Sequence, residues 1–456
     1  MSIDATTTCD CASTRTMAAR LSSLASGKFV RSLLMNGLNV GGSQLIRLAG
    51  NLILTRLLFP EVFGLMALVS VFLIGLEMFS DFGVGASVVQ RRSEPDTAFL
   101  QTAWTIQAFR GIVLWLAASV AAWPLSAWYG EPRLAWVLPV AALNLAVCGF
   151  KSPAIHLCAR HLRHGALTKL DLVCAVTGLC VSIVLAASFR SVWSLVGGGI
   201  VASLLSLILS WRLPDQVPIR FRWSRESRRE LAAFGRWIFV ATVFTFLAGH
   251  GDRLLLGKFL TLSELGIYTV AFFFAQSVTS FVMGLSYRTL FPIFSRLEPG
   301  DATLGRCRMV LLGGALLPLG GFLIGGPSLI EWLYDDRYLA AGSLLQWLAL
   351  GASAATLRVM AEPVLLARGD SFSRMILGIC EALLVLGSGT IGGSLGGFGG
   401  FVVGYVVGQF LTLVPAALLL NRHGVWHRRD DLAYLAAVLC LAIAGWSLHP
   451  PVIIAG

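Results

Sequence analysis

Arginines stand inside long apolar stretches of this 456-residue sequence, where charged side chains are uncommon. Arg47, Arg110, Arg253 and Arg358 lie within four different stretches, and Asn51 follows Arg47 by one helical turn. An ionisable side chain at the centre of a bilayer costs at least about 2.5–3.5 kcal/mol on insertion scales. Each of these residues is therefore a functional candidate. Because a guanidinium donates two parallel hydrogen bonds to phosphate oxygens, together they predict a cationic cavity for an anionic ligand.

Polar residues recur at helical spacing around two of these arginines. The two stripes consist of Asn36, Ser43, Arg47 and Asn51 and, later in the chain, of Thr242, Thr245, Gly249 and Arg253. Steps of three or four residues place such side chains on one face of a helix. Each stripe either lines a central cavity or forms a buried hydrogen-bond network. Next to the second stripe, Asp252 could simply neutralise Arg253.

The sequence carries no recognisable metal, nucleotide or hydrolase motif. Its nine cysteines form no CxxC pair and no Cys/His cluster with zinc spacing. It contains no HExxH motif, no Ser/His/Asp arrangement and no phosphate-binding loop. We therefore expect no cofactor. The acidic segment 331–337 is the best candidate for the outer loop of an enzyme, and we interpret it as a solvated loop.

The elements that must position these residues are membrane-spanning helices. Hydrophobic residues make up 56% of the chain and charged residues only 13%, about half of the charged fraction found in soluble proteins. The sequence contains thirteen apolar runs that are long enough to span a bilayer. They lie at 33–57, 63–88, 102–124, 133–155, 167–188, 191–211, 232–256, 266–291, 307–330, 339–365, 372–392, 397–420 and 432–454.

The distribution of basic residues predicts how the chain is oriented. Most of the 35 Lys and Arg residues fall in the amino-terminal arm and the even-numbered loops. Loops rich in Lys and Arg stay on the cytoplasmic side, so we expect a cytoplasmic N-terminus. The net charge of +11 follows from this asymmetry and does not indicate a nucleic-acid partner. The opposite loops hold only Arg56, Arg133, Arg190, Lys258 and Arg337.

Two halves of the sequence resemble each other. A shift of 202 residues superposes segment 55–64 on segment 257–266, each with a helix end, a basic residue, a short loop and a glycine. The spans then divide into two pseudo-symmetric six-helix bundles, and transporters commonly bind their substrate between such repeats. We predict a cytoplasmic arm at 1–32, an N-terminal bundle at 33–211, a basic linker at 212–230, a C-terminal bundle at 231–421 and an extra helix at 422–456.

Several segments resemble the bacterial polysaccharide transporter family of the multidrug/oligosaccharidyl-lipid/polysaccharide (MOP) exporter superfamily. They lie at 47–65, 80–90, 251–268 and 290–297. The resemblance implies an inner-membrane flippase with the MOP-type all-α fold of twelve to fourteen spans. Such a protein moves oligosaccharide repeat units on undecaprenyl pyrophosphate by alternating access, for O-antigen, capsule or exopolysaccharide. A polysaccharide polymerase and a chain-length regulator are the partners implied.

Carboxylates inside the spans are candidates for coupling transport to H⁺ or Na⁺. Glu77 and Asp81 are spaced i,i+4, and two carboxylates this close are suited to share a proton. Asp81 could instead cap or hinge its helix. Glu362 stands i,i+4 from Arg358 and could form a structural ion pair with it, and Glu381 lies alone in a later span.

The same fold would also suit a lipid II flippase or a multidrug antiporter. A drug antiporter exports cations and would favour an acidic cavity, whereas the span interiors here are richer in arginine. A membrane-embedded polymerase or glycosyltransferase is a more remote alternative. Gly392, Gly396, Gly400, Gly404 and Gly408 recur every four residues, which predicts close packing of the twelfth span against a neighbouring helix.

Overall fold

The computed structural model describes residues 41–80 apart from 43, then 85, 87–88, 94–161, 163–287 and 302–450. Over these ranges the regular structure is helical and contains no strand. Of the predicted features, Asn36 and Ser43 of the first polar stripe, Asp81 and the arm at 1–32 lie outside the described residues. The chain is an all-α, multi-pass membrane protein, as its composition predicts.

Eight helices with defined bounds lie between residues 44 and 259. Those of about 20 residues or more fit a hydrocarbon layer of about 30 Å, since a helix rises about 1.5 Å per residue. In chain order they are α1 at 44–57, α2 at Pro60–Phe79, α3 at Thr97–Tyr129, α4 at Leu134–Gly149, α5 at Ala154–Arg160, α6 at His164–Phe189, α7 at Val192–Ser210 and α8 at Arg225–Phe259.

Seven further helices and one turn of 3-10 helix complete the described fold. The 3-10 turn covers Asp336–Tyr338 and joins two long helices. The helices are α9 at Leu262–Leu285, α10 at Ala302–Leu333, α11 at Ala340–Val359, α12 at Ala361–Ala367, α13 at Ser371–Leu411, α14 at Leu413–Arg422 and α15 at Arg428–Leu448.

Within the described residues, each of the thirteen predicted spans overlaps at least one helix. Nine stretches of the described residues are long and apolar enough to cross a membrane, and α4 with α5 forms a tenth that is bent by 62°. Several helices run past the predicted boundaries, as α3 does at both ends. Apolar periodicity marks only the lipid-buried part of a span, so it misses turns that extend into the headgroup layer.

The glycine run is divided between two helical arms, which corrects its assignment to one span. Within α13, Gly396 and Gly397 leave the helical conformation, and Gly397 has φ of 59°. The chain folds back there, so Gly392 on the first arm faces Gly400 on the second. A Cβ atom on Gly400 would collide with the Gly392 carbonyl oxygen, and one on Gly404 with that of Ser388. Close packing is therefore confirmed, but between adjacent arms of one hairpin.

We expect Gly400→Ala to destabilise the hairpin. The added methyl group has no space against the Gly392 backbone, and overpacking costs about 1–3 kcal/mol. Gly387→Ala is the matched control on the same hairpin, since a Cβ atom there meets nothing within 4 Å. Thermal unfolding of the purified protein, followed by size-exclusion chromatography, measures the difference. Equal melting temperatures for the two variants would contradict this interpretation.

A buried ion pair fixes α15 to the helices before it. Arg308 Nη2 on α10 lies 2.8 Å from Asp431 Oδ1 on α15, and the indole of Trp426 donates to the other carboxylate oxygen at 3.0 Å. Buried charges are tolerated when they are paired and hydrogen-bonded. The helix after position 422 therefore packs as part of the C-terminal helices. The boundaries of the two predicted bundles remain predictions.

Candidate functional site

A cavity of about 230 Å³ lies where α2 meets α8, α9, α11, α12 and α13. The N-terminal helices contribute Met78 to the lining of this cavity, and the C-terminal helices contribute its other lining residues. Its polar lining is unusual for the interior of a membrane protein. It includes His250, Gln276, Arg358, Glu362, Arg374 and Glu381.

The charged residues of the cavity form one ion-pair network. Arg358 lies 3.1 Å from a carboxylate oxygen of Glu362 and 2.5 Å from one of Glu381. Arg374 Nη2 contacts the second oxygen of Glu362 at 3.0 Å, and the Tyr287 hydroxyl donates to that oxygen at 3.0 Å. Two guanidinium and two carboxylate groups cancel in charge. Because removing one partner of a buried pair costs about 3–5 kcal/mol, the four side chains hold α11, α12 and α13 in register.

The network joins residues that were predicted for different roles. Arg358 was predicted to line a cationic cavity, and Glu362 and Glu381 to couple an ion. The structure brings all three together, and the i,i+4 pair of Arg358 with Glu362 is present. Arg374 was missed as a candidate. Its spacing of seven residues from Glu381 was the available signal, because two helical turns return to the same face.

Arg253 lies beside this cavity and forms no ion pair with any residue that the structure describes. Its guanidinium stacks over the Phe272 ring at 4.4 Å, and Nη1 lies 3.2 Å from His250 Nδ1. Asp252 and Arg253, both among the described residues, form no direct ion pair with each other. The buried Asp252 instead accepts a 2.7 Å hydrogen bond from the Tyr268 hydroxyl.

Arg110 binds the end of α2 and so does not stand free in a cavity. Its Nε donates to Ser80 Oγ at 2.9 Å, and Nη2 donates to the Glu77 carbonyl oxygen at 2.6 Å. A cation at the C-terminus of a helix satisfies its last carbonyls and complements the helix dipole. The Glu77 side chain itself is exposed.

Arg47 and Asn51 lie on α1 and are not among the residues that line the 230 Å³ cavity. Arg47 is exposed and Asn51 is half-buried, and the Asn51 carbonyl Oδ1 has no hydrogen-bond partner among the described residues. Of the five residues predicted for the cationic cavity, the described structure places only Arg358 in its lining. The shared site for all five therefore remains a prediction.

The N-terminal and C-terminal helices meet at one end of the protein through a reciprocal contact. A Cβ atom on Gly64, in the first turns of α2, would collide with the Leu262 carbonyl oxygen at the start of α9. A Cβ atom on Gly266 of α9 would collide in turn with the Pro60 carbonyl oxygen at the start of α2. The two contacts are related by the 202-residue shift. We call the end that contains them the gate end.

Basic and tyrosine side chains repeat this reciprocity around the two glycines. Arg56 donates at 3.3 Å to the Leu333 carbonyl oxygen at the end of α10, and Lys258 donates to the Trp128 carbonyl oxygen of α3. The Tyr129 and Tyr338 hydroxyls likewise donate to carbonyl oxygens of α8 and of the residue following α1. These bonds join α1, the first helix of the N-terminal set, to α10, and they join α8, the first helix of the C-terminal set, to α3. The 230 Å³ cavity lies further along the same helices, away from the gate end.

We expect Gly64→Ala to weaken the closed gate end. The new methyl group must displace the α9 backbone, because the atom in its way is a carbonyl oxygen. Hydrogen–deuterium exchange at residues 60–66 and 262–268 should rise at least about tenfold, which corresponds to roughly 1.4 kcal/mol of local opening. Gly313→Ala serves as the control, since its Cβ atom meets nothing within 4 Å. Exchange equal to that control would contradict the gate.

The linker between the two helix sets is bound to the N-terminal helices. The Gln101 amide donates to the Pro218 carbonyl oxygen at 2.8 Å, and the Arg222 backbone N–H donates to Thr105 Oγ1 at 3.1 Å. His161 bridges Asp215 of the linker and Glu94, with nitrogen–oxygen distances of 3.2 and 3.0 Å. We call the end that contains these contacts the linker end.

The His161 bridge predicts a pH dependence of the linker. Hydrogen bonds to Asp215 and Glu94 raise the pKa of His161 above its usual 6.5, while Arg163 and Arg160 also contact these carboxylates. A raised pKa means that the bridge is fully present below the unfolded value and is lost as pH rises through the folded one. Limited proteolysis within 212–224 should be faster at pH 8.5 than at pH 6. His161→Gln should remove that difference, and a difference that persists would contradict the bridge.

Comparison with known proteins identifies the class to which this fold belongs. The sequence model of the family described as "Polysaccharide biosynthesis protein" matches residues 53–312, which is more than half of the chain. The chain belongs to this family. Together with the helical fold, this match places it among membrane proteins of polysaccharide biosynthesis.

Three curated relatives are similar over much of the chain. It is 23% identical over 392 residues to the succinoglycan biosynthesis transport protein ExoT of Rhizobium meliloti, covering 84% of this chain and 77% of that protein. It is 21% identical to an uncharacterized membrane protein in the cps region of Klebsiella pneumoniae, covering 68% and 65%. The teichuronic acid biosynthesis protein TuaB of Bacillus subtilis is 22% identical, with 63% and 61% covered. The chain thus spans less than two thirds of the length of the last two.

Solved structures establish the fold. The lipid II flippase MurJ, in an inward closed conformation, has a TM-score of 0.71 at 10% identity, covering 90% of this chain and 92% of that one. An inward-facing multidrug resistance MATE family transporter of the MOP superfamily has a TM-score of 0.63 at 15% identity, covering 86% and 95%. The predicted MOP-type fold is confirmed.

Proposed function

We propose that this protein is a flippase for undecaprenyl-pyrophosphate-linked oligosaccharide repeat units in the inner membrane. The observation that carries the proposal is a polar, ion-paired cavity beside the junction of two helix sets that bind each other reciprocally at one end. A contact of this kind at the gate end suits alternating access, because the two helix sets can separate at one end while they stay closed at the other. With the N-terminus cytoplasmic, the gate end faces the periplasm.

The cargo explains why arginines belong near such a cavity. A diphosphate is anionic and must cross through a polar space, while its polyprenyl chain stays in lipid. Arg47 and Arg253 offer guanidinium groups that no described carboxylate neutralises. Asn51, one turn from Arg47, adds a polar side chain for the diphosphate or the sugar. Arg110 supports them by holding the end of α2.

The ion-pair network suggests how cargo binding could be coupled to an ion. Arg358 and Arg374 are neutralised by Glu362 and Glu381. A proton on either carboxylate would release one guanidinium for a phosphate oxygen, and loss of the proton would restore the pair and expel the cargo. Binding of Na⁺ to the carboxylates would act in the same sense. Glu77 and Asp81 remain the second proposed coupling position.

A deletion strain of the native host tests the proposed cargo. Loss of the flippase should leave completed repeat units on undecaprenyl pyrophosphate and abolish surface polymer, which mass spectrometry of lipid extracts and an assay of surface polysaccharide detect. Complementation by a known repeat-unit flippase separates this defect from that of a polymerase or chain-length regulator, the proposed partners. Normal polymer with altered drug sensitivity would overturn the proposal in favour of a multidrug antiporter, and accumulated lipid II in favour of a lipid II flippase.

Single arginine variants test the proposed cargo contacts. Arg47→Ala and Arg253→Ala should each abolish polymer export in the complemented strain, because each removes a positive charge that the diphosphate requires. Immunoblotting should show unchanged protein in the membrane fraction. Arg212→Ala is the control, since Arg212 is an exposed arginine of the linker. Normal export from both variants would remove these two residues from the site.

A further inference from the structure

A second cavity, of about 530 Å³, lies at the gate end among the N-terminal helices. The first turns of α2, α4 and α7 form its walls, so three short loops meet there. Ligand pockets typically enclose about 300–1,000 Å³, which puts this groove within their range. We call it the outer groove, and its chemically distinctive residues are Phe59, Glu61, Arg133, Trp136, Arg190 and Trp193.

Aromatic side chains of the outer groove are unusually open. Trp136 is 69% exposed, Phe59 is 50% exposed and Trp193 is 45% exposed. Tryptophan is enriched at membrane interfaces, but isolated interfacial tryptophans do not enclose a cavity. Here two indoles stand on different helices around one concave space. Such faces can pack against both sides of a flat, partly apolar ligand.

The charged side chains of the outer groove are balanced, and this decides the class of ligand. Arg133 Nε lies 2.7 Å from Glu131, which neutralises it. Arg190 has φ of 46°, a left-handed conformation at the tight turn between α6 and α7, and it faces a groove that also contains Glu61. A groove without excess positive charge is a poor site for a phosphate headgroup. It offers donors, an acceptor and indole faces, the combination that binds sugar hydroxyls and the apolar faces of pyranose rings.

The outer groove adjoins the contact between the two helix sets. Phe59 lines it, and the guanidinium of Arg337, which follows α10, lies over the same ring at 4.9 Å from the centroid. Separation of the sets at the gate end would therefore uncover one edge of the groove. A ligand leaving the junction would meet the two tryptophans next.

We propose that the outer groove binds the oligosaccharide portion of the cargo on the gate-end side of the membrane. Trp136 and Trp193 stack on the sugar rings, while Arg190 and Glu61 bind their hydroxyl groups. This inference rests on the proposed flippase function, because it assigns the groove to the same cargo. It adds an exit subsite that recognises sugar and not diphosphate.

Saccharide binding to the purified full-length protein in nanodiscs tests the groove. The probe is the repeat-unit oligosaccharide obtained by depolymerising the surface polysaccharide of the host, and saturation-transfer NMR titrations report its affinity. Trp136→Ala and Trp193→Ala should each weaken binding about tenfold or more. The control is Trp332→Ala, which removes a tryptophan that is 78% exposed at the end of α10 and outside the groove. It should bind like the unmodified protein.

The outcomes separate the groove from the flippase proposal. Unchanged binding in both groove variants, or no binding to the unmodified protein, would overturn the groove. So would displacement of the saccharide by dihexanoyl-phosphatidylglycerol, which would indicate a lipid-headgroup site. The flippase proposal is judged separately, by export in the deletion strain complemented with unmodified protein. Because the groove variants retain the cavity and the gate glycines, failure of one proposal leaves the other measurable.

Discussion

The close approach of α2 and α9 is the contact on which the architecture depends. Gly64 and Gly266 let the first turn of each helix touch the backbone of the other, and any larger side chain would separate them. The two contacts are related by the 202-residue repeat and form together, so each helix set contributes one glycine and one carbonyl oxygen to the junction. The gate end is closed by backbone packing and by the basic side chains of Arg56 and Lys258, which bind helix ends across the junction. This contact keeps the two helix sets together at the gate end, and the polar cavity lies further along the same helices.

The membrane imposes the second constraint, since a charge that leaves water must find a partner. The four charged groups around Arg358 meet this demand with one another, whereas Arg253 meets part of it with an aromatic ring. Under the proposed ion coupling, this neutral network would release positive charge when its carboxylates bind a cation. Two kinds of arginine thus surround the junction. Arg47 is exposed and Arg253 is stacked on an aromatic ring, whereas Arg358 and Arg374 are held in ion pairs.

Features with local periodicity could be predicted from the sequence, whereas those created by chain reversal could not. The spans follow from apolar length, the correspondence of Gly64 with Gly266 from the 202-residue shift, and the pair of Arg358 with Glu362 from i,i+4 spacing. Tyr287 reaches Glu362 only through tertiary packing, so no spacing indicates it. The glycine run was predicted as one face of one helix, and the reversal at Gly397 turned it into two facing surfaces. Arg110 was predicted to line the cavity because a charge within a span suggests function, yet it binds a helix end.

A measurement of the transbilayer movement of the lipid-linked oligosaccharide tests the flippase proposal most directly. The purified protein would be reconstituted into liposomes that contain lipid-linked oligosaccharide extracted from the host, with an imposed proton or sodium gradient. Oxidation by external periodate, which does not cross the bilayer, measures the fraction of sugar in the outer leaflet. We expect this fraction to depart from that of protein-free liposomes, and we expect the departure to be lost when Gly64→Leu blocks the reciprocal contact. A fraction identical to that of protein-free liposomes under both gradients would contradict the flippase proposal.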